Sequence, residues 1–322
     1  MPDYNFSPNT DITDPLINEI MEYLAEEKII DKSNIGMSDN LEETDATHIS
    51  IFFAVDLSAS TRPYIDDINR TIKQFVSAVV AKNSYIADSI DFCYVTFNET
   101  VKVRRPLGYL SSDDIDAPWT SIRKEEVGGG ADIASALFTT WYMAEERKKY
   151  LRDEFRVHYI PPIIVLISDL MHNVDIPIHN VKRPDDVFLL DLILELMRIK
   201  ADSSSKKVGF AKIVPNTRNQ ILPGSDAKKI YELNENNFEL KDTAGFAALL
   251  DRFFKELTAT VTAIPKERSL LRADAEGGFR RNAMIITSSA CGGENSTKNE
   301  SISEPNKEAD SGFASFLDSL FD

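Results

Sequence analysis

A run of five aliphatic residues at 163–167 (Ile-Ile-Val-Leu-Ile) constrains the fold of this 322-residue chain more than any other feature. No polar residue interrupts the run, so neither face of a strand formed here would meet water. Such strands lie at the centre of parallel sheets whose two faces are covered by helices. The mostly apolar residues 49–55 (Ile-Ser-Ile-Phe-Phe-Ala-Val) predict a second strand.

Strand and helix patterns alternate along the body of the chain. Helical patterns have apolar residues at three- and four-residue spacing and cover residues 65–80, 134–150, 186–200 and 246–263. Strand patterns are short and β-rich and cover residues 90–97, 101–105 and 208–214, of which 101–105 predicts an antiparallel edge strand. We therefore predict a doubly wound α/β fold, with a mostly parallel sheet and helices on both faces.

The net charge of −16 is concentrated at the two ends. Residues 1–47 contain 12 acidic and 2 basic side chains, and residues 292–322 contain 7 and 2, whereas residues 48–291 are nearly neutral. Acidic arms of this kind are either solvated or used for interaction. A nucleic-acid-binding protein needs a basic surface to neutralise phosphates, so we expect protein partners and no direct contact with nucleic acid.

Other classes are excluded by what the sequence lacks. No apolar run approaches the roughly 20 residues that span a bilayer, and the first residues do not resemble a secretory signal. The two cysteines argue against a disulfide scaffold, and the four scattered histidines have no zinc-binding spacing. We therefore expect a cytoplasmic protein with no membrane partner.

The strand at residues 49–55 ends in Asp56-Leu57-Ser58-Ala59-Ser60. This pattern brings one carboxylate and two hydroxyls to a single sharp turn. Three hard oxygen donors suit a small hard cation such as Mg²⁺, which takes few protein ligands and keeps several waters. Serine and aspartate are also preferred at helix N-caps, so the same pattern is equally typical of a helix start.

Two more polar turns are predicted at the same edge of the sheet. Ser168-Asp169 directly follows residues 163–167, and Gly128-Gly129-Gly130-Ala131-Asp132 leads into a helix. Ligands of doubly wound sheets bind outside the carboxyl ends of the strands, where these turns lie. Taken singly, an aspartate after a strand is also a common turn former, and a glycine run is also a flexible turn. Their coincidence at one edge predicts a single site.

These turns resemble the three loops of the von Willebrand factor A (VWA) domain family. The residues that carry the resemblance are Asp56-Leu57-Ser58-Ala59-Ser60, Gly128-Gly129-Gly130 with Ile133-Ala134-Ser135-Ala136-Leu137, and Leu166-Ile167-Ser168-Asp169. It extends to Tyr94-Val95-Thr96-Phe97 and Phe253-Phe254-Lys255-Glu256-Leu257. The pattern is most similar to the bacterial TerY-like branch, associated with tellurite-resistance and stress-response gene neighbourhoods. The resemblance implies a Rossmann-like VWA domain at residues 48–265.

The resemblance also implies a metal-ion-dependent adhesion site (MIDAS) at Asp56, Ser58, Ser60 and Asp169. The two serines would coordinate Mg²⁺ directly, with Mn²⁺ or Ca²⁺ as alternatives, and the two aspartates would hold its waters. The cation would accept a carboxylate from a partner protein and catalyse nothing.

The chain departs from the family pattern in the second and third loops. The family's middle-loop Thr falls on Ala131, which has no side-chain oxygen, and we include the adjacent Asp132 as a metal ligand, directly or through water. In the last loop Ser168 replaces Thr, and Leu170 replaces Gly.

These features predict a non-enzymatic interaction module that acts as an adaptor in a bacterial multi-component stress-response or defence system. Two alternatives remain. A degenerate VWA domain would act as a metal-free scaffold. An Asp-based phosphohydrolase would use Asp56 as a phosphoryl-accepting nucleophile, but such enzymes have a second Asp two residues later, where this chain has Ser58.

The two ends carry apolar stripes. Asp14-Pro15 predicts the start of a helix in the N-terminal extension, residues 1–47, which packs either on its own domain or on another chain. After a C-terminal extension at 266–291, the tail 292–322 is predicted to be disordered. It ends in a stripe that we interpret as a partner-docking segment, the alternative being contact with its own domain. The stripe consists of Phe313, Phe316, Leu317, Leu320 and Phe321.

Overall fold

The computed structural model describes residues 10–35, 48–81, 90–151, 159–174, 176–178, 187–202, 209–214, 225–233 and 237–239. The strands are β1 (His48–Asp56), β2 (Ile90–Phe97), β3 (Val101–Tyr109), β4 (Tyr159–Ile167), β5 (Pro177–Ile178), β6 (Val187–Phe188), β7 (Gly209–Val214) and β8 (Asn237–Glu239). The helices are α1 (Pro15–Glu26), α2 (Ile65–Val80), α3 (Ile133–Tyr150), α4 (Leu189–Asp202) and α5 (Asp226–Tyr231).

Six strands form one sheet in the order β3-β2-β1-β4-β7-β8, and β5 and β6 form a separate two-stranded sheet. All neighbours in the large sheet are parallel except β2 and β3, so β3 is an antiparallel edge strand. The predicted α/β fold class is confirmed. The chain leaves β1 through α2 to reach β2 on one side, and later returns through α3 to β4 on the other side. The ends of β1 and β4 therefore form the switch point at which doubly wound folds bind ligands.

Alternate residues of the central strands belong to two different cores. Ile51, Phe53 and Val55 of β1 are buried with the apolar face of α2, which includes Phe75. Phe52 and Ala54 point the other way and are buried with α1, α3, α4 and α5. Both faces of β1 and β4 are thus covered, which explains why both strands are mostly apolar.

Helix α1 packs on the α3 side of the sheet. Asp14 caps it, since Asp14 Oδ1 accepts a hydrogen bond of 2.9 Å from Leu16 N. The apolar stripe of α1 faces that core: Leu16 is partly buried against it, and the fully buried members are Ile17, Ile20, Met21 and Leu24. After the helix, Ile30 forms a parallel bridge to Val101, so the N-terminal segment also covers the start of the edge strand.

Most predicted elements have the expected type, and the bounds differ most at the edge strand and at the start of α4. The edge strand extends beyond residue 105 to Tyr109. Residues 187 and 188, predicted as helix, form β6 because they pair with Pro177 and Ile178. The predicted helix 246–263 lies outside the described residues. Among the described helices, none combines the length and apolar composition needed to cross a membrane.

Candidate functional site

Asp56 ends β1 with a fully buried carboxylate that is fixed at both oxygens. Its Oδ1 accepts a hydrogen bond of 2.6 Å from Ser58 N, which closes the turn after the strand. Its Oδ2 accepts one of 2.7 Å from Ser168 Oγ, at the end of β4. The carboxylate therefore joins the first and third predicted loops.

The two serine hydroxyls of the turn face each other, with Ser58 Oγ 3.0 Å from Ser60 Oγ. Ser58 occupies the N-cap position of a 3₁₀ helix, Ala59–Tyr64, but its side chain makes no capping hydrogen bond. Ser58 is 6% exposed and Ser60 is exposed, so the pair lies where the turn opens to solvent. The turn does start a helix, as the capping alternative predicted, but the Ser58 hydroxyl is not used for that purpose.

The loop after β4 folds back sharply on its own polar side chains. Leu170 N donates to Ser168 Oγ (3.0 Å), and Met171 N donates to Asp169 Oδ1 (3.1 Å). Leu170 has φ of 65°, the left-handed region that favours glycine. This is the position where the resembled loop has Gly. Leu170 is fully buried in the α3-side core, and that burial offsets the backbone strain.

The glycine loop, residues 128–132, lies against both of the other loops. Gly128 N donates to Leu57 O (2.8 Å) in the first turn, and Ala131 N donates to Asn173 Oδ1 (2.5 Å) beyond Asp169. Gly129 needs the freedom of glycine, because its φ is 75°. The three loops that the sequence predicted to meet are therefore joined by direct hydrogen bonds.

Asp132 is the N-cap of α3. Its Oδ1 accepts a hydrogen bond of 3.0 Å from Ser135 N, and its own N–H donates to Asn98 O (2.7 Å). Asp132 Oδ2 is fully buried and has no hydrogen-bond partner. One oxygen of this carboxylate thus serves the helix, and the other is left for a further donor or cation.

Asp56 and Asp132 lie in surroundings that disfavour their charge. Burial raises the pKa of Asp56 to about 6, the charge of Asp169 adds to the rise, and hydrogen bonds from Ser168 and Ser58 oppose it. Burial also raises the pKa of Asp132 to about 6, opposed by its hydrogen bonding to Ser135. Asp169 therefore acts electrostatically on Asp56, whereas the groups that shift the Asp132 pKa are local to the start of α3.

The oxygen donors fit a small cation better than a large one. Neighbouring ligands of an octahedral Mg²⁺, at about 2.1 Å from the ion, lie about 3.0 Å apart, whereas those of Ca²⁺ are roughly 3.3 to 3.7 Å apart. The Ser58 and Ser60 hydroxyls are hydrogen-bonded to each other at 3.0 Å, so a small ion could replace that bond without separating them, whereas Ca²⁺ would require them to move apart. In the described part of the chain, no three His, Cys, Asp or Glu side chains come together as a metal-binding group, so a cation here would depend on the hydroxyls.

The sequence interpretation did not identify several residues that shape this site. Asn98 and Asn173 hold the glycine loop through the contacts above, and His172 Nδ1 accepts a hydrogen bond of 3.2 Å from Ile133 N. None of the three belongs to a recognisable pattern, because each acts across a long stretch of chain. The predicted docking stripe at residues 313–321 lies outside the described residues.

Comparisons with known proteins give structural neighbours only. No protein-family model matches the chain, and no curated protein matches it. The pilus adhesin SpaC from Lactobacillus rhamnosus GG, in its open conformation, is 8% identical and has a TM-score of 0.45, with 70% of this chain and 31% of the adhesin covered. The chain spans about half (48%) of proximal thread matrix protein 1 from the mussel byssus, at 16% identity and a TM-score of 0.40.

Von Willebrand factor domains are among these neighbours. The vWF domain of the type V pili tip protein Mfa5 from Porphyromonas gingivalis is 9% identical, with 67% of this chain and 97% of that domain covered and a TM-score of 0.45. The fold assignment itself depends on the strand order and register described above.

Proposed function

We propose that this chain is a VWA-type protein-interaction module whose candidate site binds a divalent cation, Mg²⁺ by preference, with Mn²⁺ and Ca²⁺ as alternatives. The observation that carries the proposal is the pair of hydroxyls of Ser58 and Ser60, which lie 3.0 Å apart where the turn opens to solvent, beside the buried carboxylate of Asp56. These groups lie at the switch point of the sheet, and their spacing suits Mg²⁺.

Each residue has a distinct part in the proposed site. Ser58 and Ser60 contribute neutral oxygens, Asp56 and Asp169 contribute negative charge beside them, and Asp132 offers its unpartnered Oδ2 from the start of α3. When bound, the cation supplies a Lewis-acidic position that can accept a carboxylate of a protein partner. The proposed role is binding without catalysis, because position 58 lacks the second aspartate of the phosphohydrolase alternative.

A Mn²⁺ titration followed by electron paramagnetic resonance tests the cation site. Ser60→Ala removes one exposed hydroxyl and is expected to weaken Mn²⁺ binding about tenfold or more. Ser121→Ala, an exposed serine elsewhere on the surface, is the matched control and is expected to bind as the unmodified protein does. Equal affinity of all three proteins, or no binding by the unmodified protein, would support the metal-free scaffold instead.

The cellular role we propose is that of a cytoplasmic adaptor in a bacterial stress-response or defence system. It is supported by the sequence resemblance to the TerY-like branch and its association with tellurite resistance. Affinity purification with and without EDTA tests it: acidic protein partners should be retained with Mg²⁺ and lost with EDTA. Retention that is unaffected by EDTA would contradict capture through a metal.

We also propose that the C-terminal stripe docks a protein partner independently of the cation. Five large apolar side chains recur at helical spacing in residues 313–321, beside the acids Asp310, Asp318 and Asp322. Removing residues 310–322 should abolish part of the partner set while leaving Mn²⁺ affinity unchanged. An unchanged partner set would refute the docking role.

A further inference from the structure

The glycine loop and the loop after β4 are joined at one pair of residues, Ala131 and Asn173. Ala131 N donates a hydrogen bond of 2.5 Å to Asn173 Oδ1, and Asn173 N donates one of 3.2 Å to Ala131 O. Asn173 therefore uses both its side chain and its backbone to hold a residue that lies 42 positions earlier in the chain.

Residues next to this pair strengthen the contact. A Cβ on Gly130 would lie 2.6 Å from Asn173 Oδ1, so a larger residue at that position would displace the Asn173 side chain from Ala131 N. His172 Nδ1 accepts a hydrogen bond of 3.2 Å from Ile133 N, at the first residue of α3. The loop after β4 thus satisfies the backbone donor of Ile133, which the helix itself leaves unpaired, and that of Ala131, just before the N-cap.

The contact continues from the glycine loop to the proposed cation ligands. Gly128 N donates to Leu57 O (2.8 Å), and Leu57 separates Asp56 from Ser58. Displacing the glycine loop therefore removes a support of the turn that presents the two hydroxyls. Groups that orient metal ligands in this way commonly change metal affinity 10- to 100-fold when they are lost.

We propose that Asn173 is a positioning residue of the cation site, which holds the glycine loop closed in a chain whose Ala131 offers no side-chain oxygen to the ion. This inference rests on the proposed cation-binding function. Asn173 touches neither the hydroxyl pair nor Asp56 through any described hydrogen bond, so it acts through the loop. Where position 131 has no hydroxyl, a cation would contribute less to holding this loop in place, and the protein must supply the restraint itself.

Two variants of Asn173 and one control test the inference in the full chain. Asn173→Ala removes the acceptor for Ala131 N, whereas Asn173→Asp keeps an oxygen at the same place. Asn69→Ala is the matched control, because Asn69 also makes two hydrogen bonds to one distant residue, Ile122, on the α2 side of the sheet, both through its side chain. There Asn69 Nδ2 donates to Ile122 O and Ile122 N donates to Asn69 Oδ1, both at 2.8 Å.

Mn²⁺ affinity, thermal unfolding and amide hydrogen exchange are measured on all four proteins. Asn173→Ala should weaken Mn²⁺ binding about tenfold and accelerate exchange at Ala131, and Asn173→Asp should retain both properties. Asn69→Ala should lower the unfolding temperature without changing Mn²⁺ affinity. If the unmodified protein binds Mn²⁺ and Asn173→Ala binds it equally well, the positioning role is overturned. If the unmodified protein binds no Mn²⁺, the proposed function itself fails and the inference fails with it.

Discussion

The Ser168 hydroxyl donates a hydrogen bond of 2.7 Å to Asp56 Oδ2 between the ends of two adjacent parallel strands. The two residues are 112 positions apart in the chain, and both side chains are buried. The same Ser168 oxygen accepts from Leu170 N, so it links the carboxylate of β1 to the strained turn after β4. This hydroxyl fixes how Asp56 faces the rest of the site.

Ser168→Ala should destabilise the protein, because it leaves one oxygen of a buried, ionised carboxylate without a donor. The expected loss is about 1–3 kcal/mol in the free energy of unfolding at pH 7.5, measured by urea denaturation. Ser168→Thr keeps the hydroxyl and serves as the control. Equal losses for the alanine and threonine variants would show that packing, and not the hydrogen bond, is responsible.

Asp132 should make the metal-free protein less stable as the pH rises. Burial raises its pKa in the folded state to about 6 from an ordinary value of 3.8, so the folded protein holds this proton more tightly than the unfolded chain. The free energy of unfolding should therefore fall between about pH 4 and pH 6, by up to about 3 kcal/mol from this group. Asp132→Asn should remove that part of the decline.

Urea denaturation in EDTA at several pH values measures the effect. The asparagine retains an oxygen that can accept from Ser135 N, so the helix cap is preserved in the variant. Asp113→Asn, at an exposed position, is the matched control and should leave the decline unchanged. If the free energy of unfolding falls equally with pH in Asp132→Asn and in the unmodified protein, the prediction is wrong. Asp132 would then ionise in the folded state as easily as in the unfolded chain.

Ala131→Ser should strengthen cation binding, because it adds a hydroxyl at the position where the resembled family has Thr. The expected gain in Mn²⁺ affinity is about tenfold, or roughly 1.4 kcal/mol, measured by isothermal titration calorimetry. Ala144→Ser adds a hydroxyl on α3 and should give no gain in affinity. Ala131 and Ala144 are equally buried, each 1% exposed. No difference between the two variants would mean that position 131 does not face the cation.

The ion pair of Asp91 and Arg147 should be essential for stability but not for cation binding. Arg147 donates to both carboxylate oxygens of Asp91, at 2.7 and 3.1 Å, and neither side chain is more than 1% exposed. Asp91→Ala removes the carboxylate that neutralises the buried Arg147 charge and should cost about 3–5 kcal/mol in the free energy of unfolding. The double variant Asp91→Leu with Arg147→Met should recover much of that loss, as denaturation would measure. A double variant no more stable than Asp91→Ala would contradict this account.

Elements governed by local periodicity could be predicted from the sequence. The apolar spacing in α2 and the β-rich residues of β2 gave the observed bounds of both elements, because each buries a face that its own sequence defines. Residues 187 and 188 were wrongly predicted as helix, because their strand conformation depends on pairing with residues 177 and 178. Strand propensity of that kind depends on a partner that the local sequence does not reveal.

The candidate site likewise contains residues that the sequence could place and contacts that it could not. Asp56, Ser58, Ser60 and Asp169 could be placed at one edge of the sheet, since each follows a recognisable strand; their role as ligands stays a prediction. The hydrogen bonds of Asn98 and Asn173 to the glycine loop could not be anticipated from the sequence. Asn98 contacts Asp132, 34 positions away, and Asn173 contacts Ala131, 42 positions away.

The sequence by itself determined that two apolar strands end in polar turns, and therefore that a doubly wound sheet would bring those turns to one edge. The tertiary structure decided what each oxygen does. Asp56 is fixed from both sides, Asp132 caps α3 with one oxygen and keeps the other unpartnered, and the Ser58 hydroxyl is left out of the cap. The positions of the apolar strands and polar turns follow from local sequence, whereas hydrogen-bond assignment depends on which distant groups come within about 3 Å.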